Sequence, residues 1–142
     1  MLDAARLAPT ACNLQAFQII VIHTQGREAE LNRIYRQSWF TDAPLVICIC
    51  ALPKETWVRG SDGKNFSDVD ASIVMDHLIL AAANAGLGTC WIGAFDPDAA
   101  REVLALPTEA EPIAFTPVGY AASQPGPKRR KPLPDLVRYE HW

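Results

Sequence analysis

The sequence predicts one globular domain, spanning residues 1–142, that combines helices with short buried strands. Its 142 residues are enough to bury a core, and 49% of them are hydrophobic while 20% are charged. Two apolar runs rich in β-branched residues, at 17–23 and 45–51, indicate strands. A long stretch with apolar residues at helical spacing, at 69–85, indicates the principal helix. The same composition excludes an intrinsically disordered chain.

The first third of the chain is predicted to contain two helices and two strands. Residues 2–8 form a short helix, which a proline stops. A polar turn at 10–16 leads into the strand at 17–23. A second helix covers 28–36, and a proline then introduces the strand at 45–51.

The remainder begins with a long loop and continues with alternating helices and strands. Residues 52–67 contain proline and glycine and are predicted to be irregular. The helix at 69–85 follows, capped by Ser67 or Asp68 and ended by a glycine. A short strand at 89–92, a helix opened by an Asp-Pro pair, and a strand at 113–121 complete the pattern. The C-terminal extension, residues 123–142, is rich in proline and in basic residues.

The helix at 69–85 is predicted to be buried on two sides. Its apolar residues form two stripes, one made of Val69, Ile73, Leu80 and Leu87 and the other of Val74, Leu78, Ala81 and Ala85. In a protein this small, the second apolar side predicts a subunit interface.

Charge and hydropathy limit the possible partners and location. The formal net charge of −3 argues against nucleic acid as a partner, because a phosphate backbone requires a basic surface. No apolar run approaches the ~20 residues of a membrane helix, and no secretory signal pattern is present. We therefore expect a cytoplasmic protein with no membrane partner. The excess of acidic residues has one local exception, the basic run at 128–131. This run is either a solvated part of the tail or a binding site for a phosphate.

The cysteines and histidines predict no metal site. Four scattered cysteines without a Cys-x-x-Cys pair fit reduced thiols better than a disulfide framework or a zinc site. Cys48 and Cys50 share one face of an apolar strand and are predicted to be buried as small hydrophobic residues. The three histidines lack metal-ligand spacing and are expected to be structural.

Two polar or glycine-containing segments are candidate binding elements. The turn that contains Asn13 and Gln15 either satisfies local backbone groups or offers amide donors and acceptors to a flat heterocycle. The segment 86–95 places glycines around a short strand, where Gly93 permits close approach of a ligand to the backbone. An ordinary helix–strand turn would explain that segment equally well.

Taken in order, four stretches of the chain resemble the FMN-dependent nitroreductase family. They are AARLAPTACNLQAF (4–17), DVDASIVMDHLILAAANAGLGTCWIGAF (68–95), FTPVGYA (115–121) and KRRKPLPDLVRYEHW (128–142). The resemblance implies an α+β, three-layer fold with a mixed, mainly antiparallel sheet flanked by helices. It also implies an intertwined homodimer that holds one FMN in each of two interface sites.

The resemblance also assigns site residues. Those that match the family's flavin-binding positions are Pro9, Thr10, Asn13, Gln15, Trp91, Ile92, Gly93, Ala94, Lys128 and Arg130. By this resemblance, the four turn residues contact the edge of the flavin. The segment 91–94 is implied to lie along the ring system, with the Gly93 N–H facing N5. Lys128 and Arg130 are implied to reach the phosphate. No side chain is expected to act as a nucleophile or an acid.

The implied activity is transfer of a hydride from NADH or NADPH, through FMN, to a nitroaromatic, a quinone or a similar acceptor by a ping-pong mechanism. The loop at 52–67, with Trp57, Arg59, Lys64 and Phe66, is the candidate substrate lid, or else a solvated surface loop. Dehalogenation or flavin fragmentation on the same scaffold is an alternative.

The sequence departs from the family pattern at its start and within the turn. Family members usually carry an Arg-Arg-Ser-x-Arg-type segment upstream of the position where this sequence begins, so we expect an N-terminally shortened member. Each lost contact to phosphate would weaken flavin binding by roughly 1.5–3 kcal/mol. A non-catalytic or impaired flavin-binding dimer is therefore a further alternative. Ala16-Phe17 replaces the commoner Pro-Trp and keeps the aromatic ring.

Overall fold

The computed structural model describes residues 1–123 and 125–142, so position 124 of the predicted C-terminal extension lies outside the described residues. The elements in chain order are α1 (Leu2–Arg6), a 3-10 turn (Ala11–Asn13), β1 (Phe17–His23), α2 (Glu28–Ile34), α3 (Ser38–Asp42), β2 (Leu45–Ala51), α4 (Ser67–Asn84), β3 (Gly88–Thr89), α5 (Pro97–Val103), β4 (Glu111–Gly119) and α6 (Leu133–Leu136).

The strands form one sheet in the order β1-β2-β4-β3, and each of these pairings is antiparallel. The bounds of β1 and β2 are those that the sequence predicts. The strand expected at 89–92 is shorter, because the N–H of Cys90 donates to Oγ1 of Thr116 at 3.1 Å instead of to a backbone carbonyl. Pairing resumes in an isolated bridge between Ile92 and Phe115.

Helices cover both faces of the sheet, which gives the three layers implied by the family resemblance. Residues of α1 and α4 pack on one face, and residues of α2, α3 and α5 pack on the other. Strand β2 contributes to both cores: Cys48 and Cys50 point to one, and Ile47 and Ile49 point to the other. Burial on both faces explains why β2 is a continuous apolar run.

The long helix α4 begins two residues earlier than predicted, and its predicted cap is wrong. Ser67 is its first helical residue, and Oδ1 of Asn65 accepts a hydrogen bond from the Ser67 N–H at 2.9 Å. The side chain of Asn65 thus satisfies one of the free N–H groups at the helix start. The helix α3 has no counterpart in the predicted elements.

One face of α4 is buried and the opposite face is partly open. The residues facing the sheet include Asp70, Val74 and Leu78, each 2% exposed or less. On the outer face Leu80 is 61% exposed, and Val69 is also exposed. The predicted stripe that contains Val69 and Leu80 therefore lies at least partly at the surface of the chain, whereas Val74 and Leu78 of the other stripe are buried.

The chain beyond β4 does not pack into either core. Every described residue from 121 to 142 is exposed, including the short helix α6 and the large side chains of Tyr139 and Trp142. Among the residues that the structure describes, none of the helices is long and apolar enough to cross a bilayer.

Candidate functional site

The turn between α1 and β1 has an unusual backbone. Cys12, Asn13 and Gln15 have φ values of 52°, 55° and 54°, in the left-handed region that residues other than glycine rarely adopt. Each such residue costs about 1–3 kcal/mol, and strain of this kind persists where surrounding contacts hold it, often at functional sites. The side chains of Asn13 and Gln15 are exposed on this turn.

Short-range hydrogen bonds fix the shape of the turn. Thr10 supplies two acceptors, since its carbonyl accepts from the Asn13 N–H at 2.9 Å and its Oγ1 accepts from the Gln15 N–H at 3.0 Å. Nε2 of Gln15 donates to the Asn13 carbonyl at 3.2 Å. Pro9, which precedes Thr10, is exposed. The structure thus brings the four predicted turn residues together on one small surface.

A residue that sequence reasoning missed connects this turn to the helical layer. Oδ1 of Asp70 accepts a hydrogen bond from the Ala11 N–H at 3.0 Å. One signal in the sequence could have identified Asp70. It precedes Val74 by four residues and Leu78 by eight, so its carboxylate lies on the buried stripe of α4.

The segment 91–94 runs along β4 at the opposite edge of the sheet. The N–H of Ile92 donates to the Phe115 carbonyl at 2.8 Å. The Ile92 side chain is buried, whereas Trp91, Gly93 and Ala94 are exposed. The Gly93 N–H has no acceptor within residues 1–123 and 125–142. A Cβ added at Gly93 would have no neighbour within 4 Å, so open space lies in front of this backbone.

The basic run is part of the exposed C-terminal extension. Lys128 and Arg130 are both exposed, and Nη1 of Arg130 donates to the Arg129 carbonyl at 3.2 Å. Both basic side chains are therefore open to solvent.

One chain therefore does not assemble the three predicted parts of the site. The turn precedes β1 and the segment 91–94 follows β3, and these strands lie at opposite edges of the sheet. Three strand spacings separate the edges by about 14 Å.

The loop predicted at 52–67 is an ordered hairpin beside the turn. Val58 and Asn65 form an antiparallel bridge, and the Trp57 and Phe66 rings meet edge to face with centroids 5.0 Å apart. Its base adjoins the turn, because the Leu52 N–H donates to the Ala16 carbonyl at 3.0 Å.

Two cations flank the Phe66 ring of this hairpin. The Arg59 guanidinium and the Lys64 ammonium each lie 5.6 Å from the ring centroid. Arg59 also forms an ion pair with Asp62, and the hydrogen bond from Arg59 lowers the pKa of the Asp62 carboxyl. The hairpin thus offers an aromatic and cationic surface next to the amide turn.

The core cysteines are buried as predicted. Cys48 and Cys50 are 0% exposed, with their sulfur atoms 3.6 Å apart. The hydrogen bond with Cys50, together with burial, raises the pKa of the Cys48 thiol, so this thiol is protonated at neutral pH.

No cluster of three His, Cys, Asp or Glu residues suited to a metal ion occurs in the described part of the chain.

Comparison with known proteins identifies the family. Residues 23–120 match the sequence profile described as "Nitroreductase family". The chain belongs to the Nitroreductase family. A crystal structure of a nitroreductase family protein from Clostridium difficile 630 superposes with a TM-score of 0.87 at 39% sequence identity, covering 99% of this chain and 83% of that one. The nitroreductase fold is thereby confirmed.

Two relatives indicate the kind of chemistry found in this family. A Thermus thermophilus protein named NADH dehydrogenase is 25% identical over 167 residues, covering 96% of this chain and 82% of its own length. A Bacillus subtilis protein named FMN reductase (NAD(P)H) is 26% identical over 148 residues, and the match covers 93% of this chain but only 59% of that relative. The chain is therefore an oxidoreductase of the nitroreductase type.

Proposed function

We propose that this protein is a homodimeric FMN-dependent oxidoreductase that moves a hydride from NADH or NADPH to a nitroaromatic, a quinone or a similar small acceptor. The observation that carries the proposal is the strained turn that presents the Asn13 and Gln15 amides outward. A relative named FMN reductase (NAD(P)H) supports the choice of flavin and reductant.

The residues present fit a flat heterocycle. Gly93 offers a backbone N–H without a protein acceptor in the described residues, and the space in front of it is open. In our proposal this N–H would face the flavin N5, and Trp91 and Ala94 would extend the same surface along the ring. Ile92, whose side chain is buried, would hold the segment on β4 through its backbone hydrogen bonds to Phe115. Asn13 and Gln15 supply amide donors and acceptors to the pyrimidine edge, with Pro9 and Thr10 fixing their turn.

The phosphate is assigned to the basic run. Lys128 and Arg130 carry charges that suit a phosphate, and Arg130 is able to form paired hydrogen bonds to two of its oxygens. Both side chains are exposed and have no carboxylate partner among the described residues.

When bound, FMN would supply the redox chemistry that a hydride transfer between the nicotinamide and the acceptor requires. The chain's own contribution is orientation and electrostatics. The Gly93 N–H and the amides of the turn would stabilise negative charge on the bound ring, because these donors are already in place before it binds. The hairpin at 52–67 is the proposed lid, whose Trp57 and Phe66 rings exclude water from the bound substrate. No nucleophile or general acid is required of a side chain.

A second copy of the chain is needed to complete this site. The turn and the segment 91–94 lie at opposite edges of one sheet, and the basic run belongs to the exposed C-terminal extension. The outer apolar stripe of α4 offers a surface to a partner. Strand β1 also has a free outer edge within the described residues, and exposed sheet edges are normally covered. An intertwined dimer would cover these surfaces and bring the parts of the site together.

Replacing Gly93 with leucine tests the assignment of the flavin surface. The new side chain meets no protein atom within 4 Å of its Cβ, so we expect the denaturation midpoint to be unchanged. FMN affinity, measured by quenching of flavin fluorescence, should fall at least tenfold because the side chain fills the proposed ring site. Thr108→Leu is the control, since it adds an exposed leucine outside the proposed site. Unchanged affinity in Gly93→Leu would refute the placement.

The basic run is tested by reversing one charge. Arg130→Glu should lower FMN affinity at least tenfold, because it removes a charge-assisted contact and adds repulsion at the phosphate. Arg129→Glu changes the net charge equally at a neighbouring residue and should have a smaller effect. Equal losses in the two variants would indicate a general electrostatic effect and contradict a specific role for Arg130.

The dimer is tested by light scattering at micromolar concentration. We expect a mass close to twice the 15.6 kDa of one chain. Leu80→Glu should shift the protein toward monomer, because it buries a charge in the proposed interface. Val58→Glu makes the same change at an exposed hairpin residue and should leave the mass unchanged. A monomer in the unsubstituted protein would contradict the proposal.

A further inference from the structure

Asp70 is a buried carboxylate with one partner. The residue is 2% exposed and lies on the sheet-facing side of α4, between Ser67 and Val74. Its Oδ1 accepts from the Ala11 N–H at 3.0 Å, whereas its Oδ2 is buried without a hydrogen-bond partner in residues 1–123 and 125–142.

A buried carboxylate at position 70 costs free energy of folding within α4. An apolar residue at position 70 would continue the buried stripe, while a carboxylate must be removed from water and leaves one oxygen unpaired. The contact that Asp70 gains in return is to the turn, 59 residues away in sequence. The reason for an aspartate at this position therefore lies in the turn.

The turn has few other ties to the rest of the protein. The bonds around Thr10, Asn13 and Gln15 are internal to the turn, and the Ala16 carbonyl is held by Leu52 at its far end. Within the described residues, the bond to Asp70 is the one hydrogen bond that joins the first half of the turn to a regular element. The donor of this bond, Ala11, comes directly before Cys12, the first of the three left-handed residues.

We propose that Asp70 is the positioning residue of this turn: its Oδ1 anchors the Ala11 N–H and thereby holds Asn13 and Gln15 in the left-handed conformation that presents their amides. The consequence for flavin binding rests on the proposed function, whereas the anchoring of the turn does not. Asp70 acts through the backbone and does not contact the reacting atoms.

The requirement is for an acceptor oxygen and not for a charge. Asp70→Asn keeps one side-chain oxygen for the Ala11 N–H and places an amide nitrogen where Oδ2 is already unpaired. Asp70→Ala removes the acceptor. The two variants therefore separate anchoring of the turn from the presence of a carboxylate in the core.

Amide hydrogen exchange on the flavin-free protein tests the proposal directly. In Asp70→Ala, the hydrogen-bonded amides of Ala11, Asn13, Leu14 and Gln15 should exchange at least tenfold faster, because the Ala11 N–H is left without its acceptor and the turn loses its anchor. In Asp70→Asn they should stay within about threefold of the original rate. Val74→Ala is the control, because it creates a cavity in the same stripe without removing a hydrogen bond to the turn, and it should leave turn exchange within about threefold.

Two results would overturn the assignment. Equal acceleration in Asp70→Ala and Val74→Ala would mean that the turn responds to general loosening of α4. Equal acceleration of turn exchange in Asp70→Asn and Asp70→Ala would mean that the side-chain oxygen bonded to the Ala11 N–H does not hold the turn. If Asp70→Ala does not fold, Asp70→Val repeats the test with the side-chain volume nearly kept.

Flavin titration of the same variants provides a second readout. Asp70→Ala should weaken FMN binding at least tenfold, while Asp70→Asn should bind like the unsubstituted protein. Failure of the unsubstituted protein to bind FMN would contradict the proposed function, and the exchange rates would still decide the role of Asp70.

Discussion

The arrangement of this protein depends on the burial of strand β2 on both faces. Val46, Cys48 and Cys50 face one helical layer, while Ile47 and Ile49 face the other, and these five side chains are at most 2% exposed. A strand of this kind must lie inside the sheet and must have helices on both sides. Polar groups that bind a ligand are consequently restricted to the ends and edges of the sheet, where both candidate binding segments lie.

The strained turn at 9–16 follows from this constraint. The chain passes from α1, on one face of the sheet, into the edge strand β1 within a few residues. The left-handed residues of the turn make that passage without glycine, at the cost of strain that Thr10 and Asp70 offset with hydrogen bonds. The result is a rigid display of amide groups beside the hairpin, which suits recognition of a flat polar ring better than a flexible loop would.

The sequence correctly predicted the elements that a local pattern of residues is sufficient to specify. The bounds of β1 and β2 agree because β-branched apolar runs are sufficient to specify them, and Asp96 caps α5 as its sequence indicates. The helix α3 was missed because its five residues have too short a pattern to detect. Strand β3 was predicted too long because a side chain on β4, Thr116, takes the hydrogen bond of Cys90.

The geometry of the candidate site was less predictable. The family resemblance supplied its residues, but no local pattern indicated the positive φ values at Cys12, Asn13 and Gln15, which residues other than glycine rarely adopt. Asp70 gave only a weak signal, a carboxylate at an apolar position of a helical stripe. The separation of the turn from the segment 91–94 across the sheet follows from strand order, which no local pattern encodes.

The central claim is that these segments form an FMN site when two chains associate. The most direct measurement is the visible absorption spectrum of the purified protein after incubation with excess FMN and desalting, together with the protein concentration. Our account predicts retained flavin bands corresponding to about one FMN per chain, eluting with the dimer. A colourless protein after desalting, under conditions in which the dimer is intact, would contradict it.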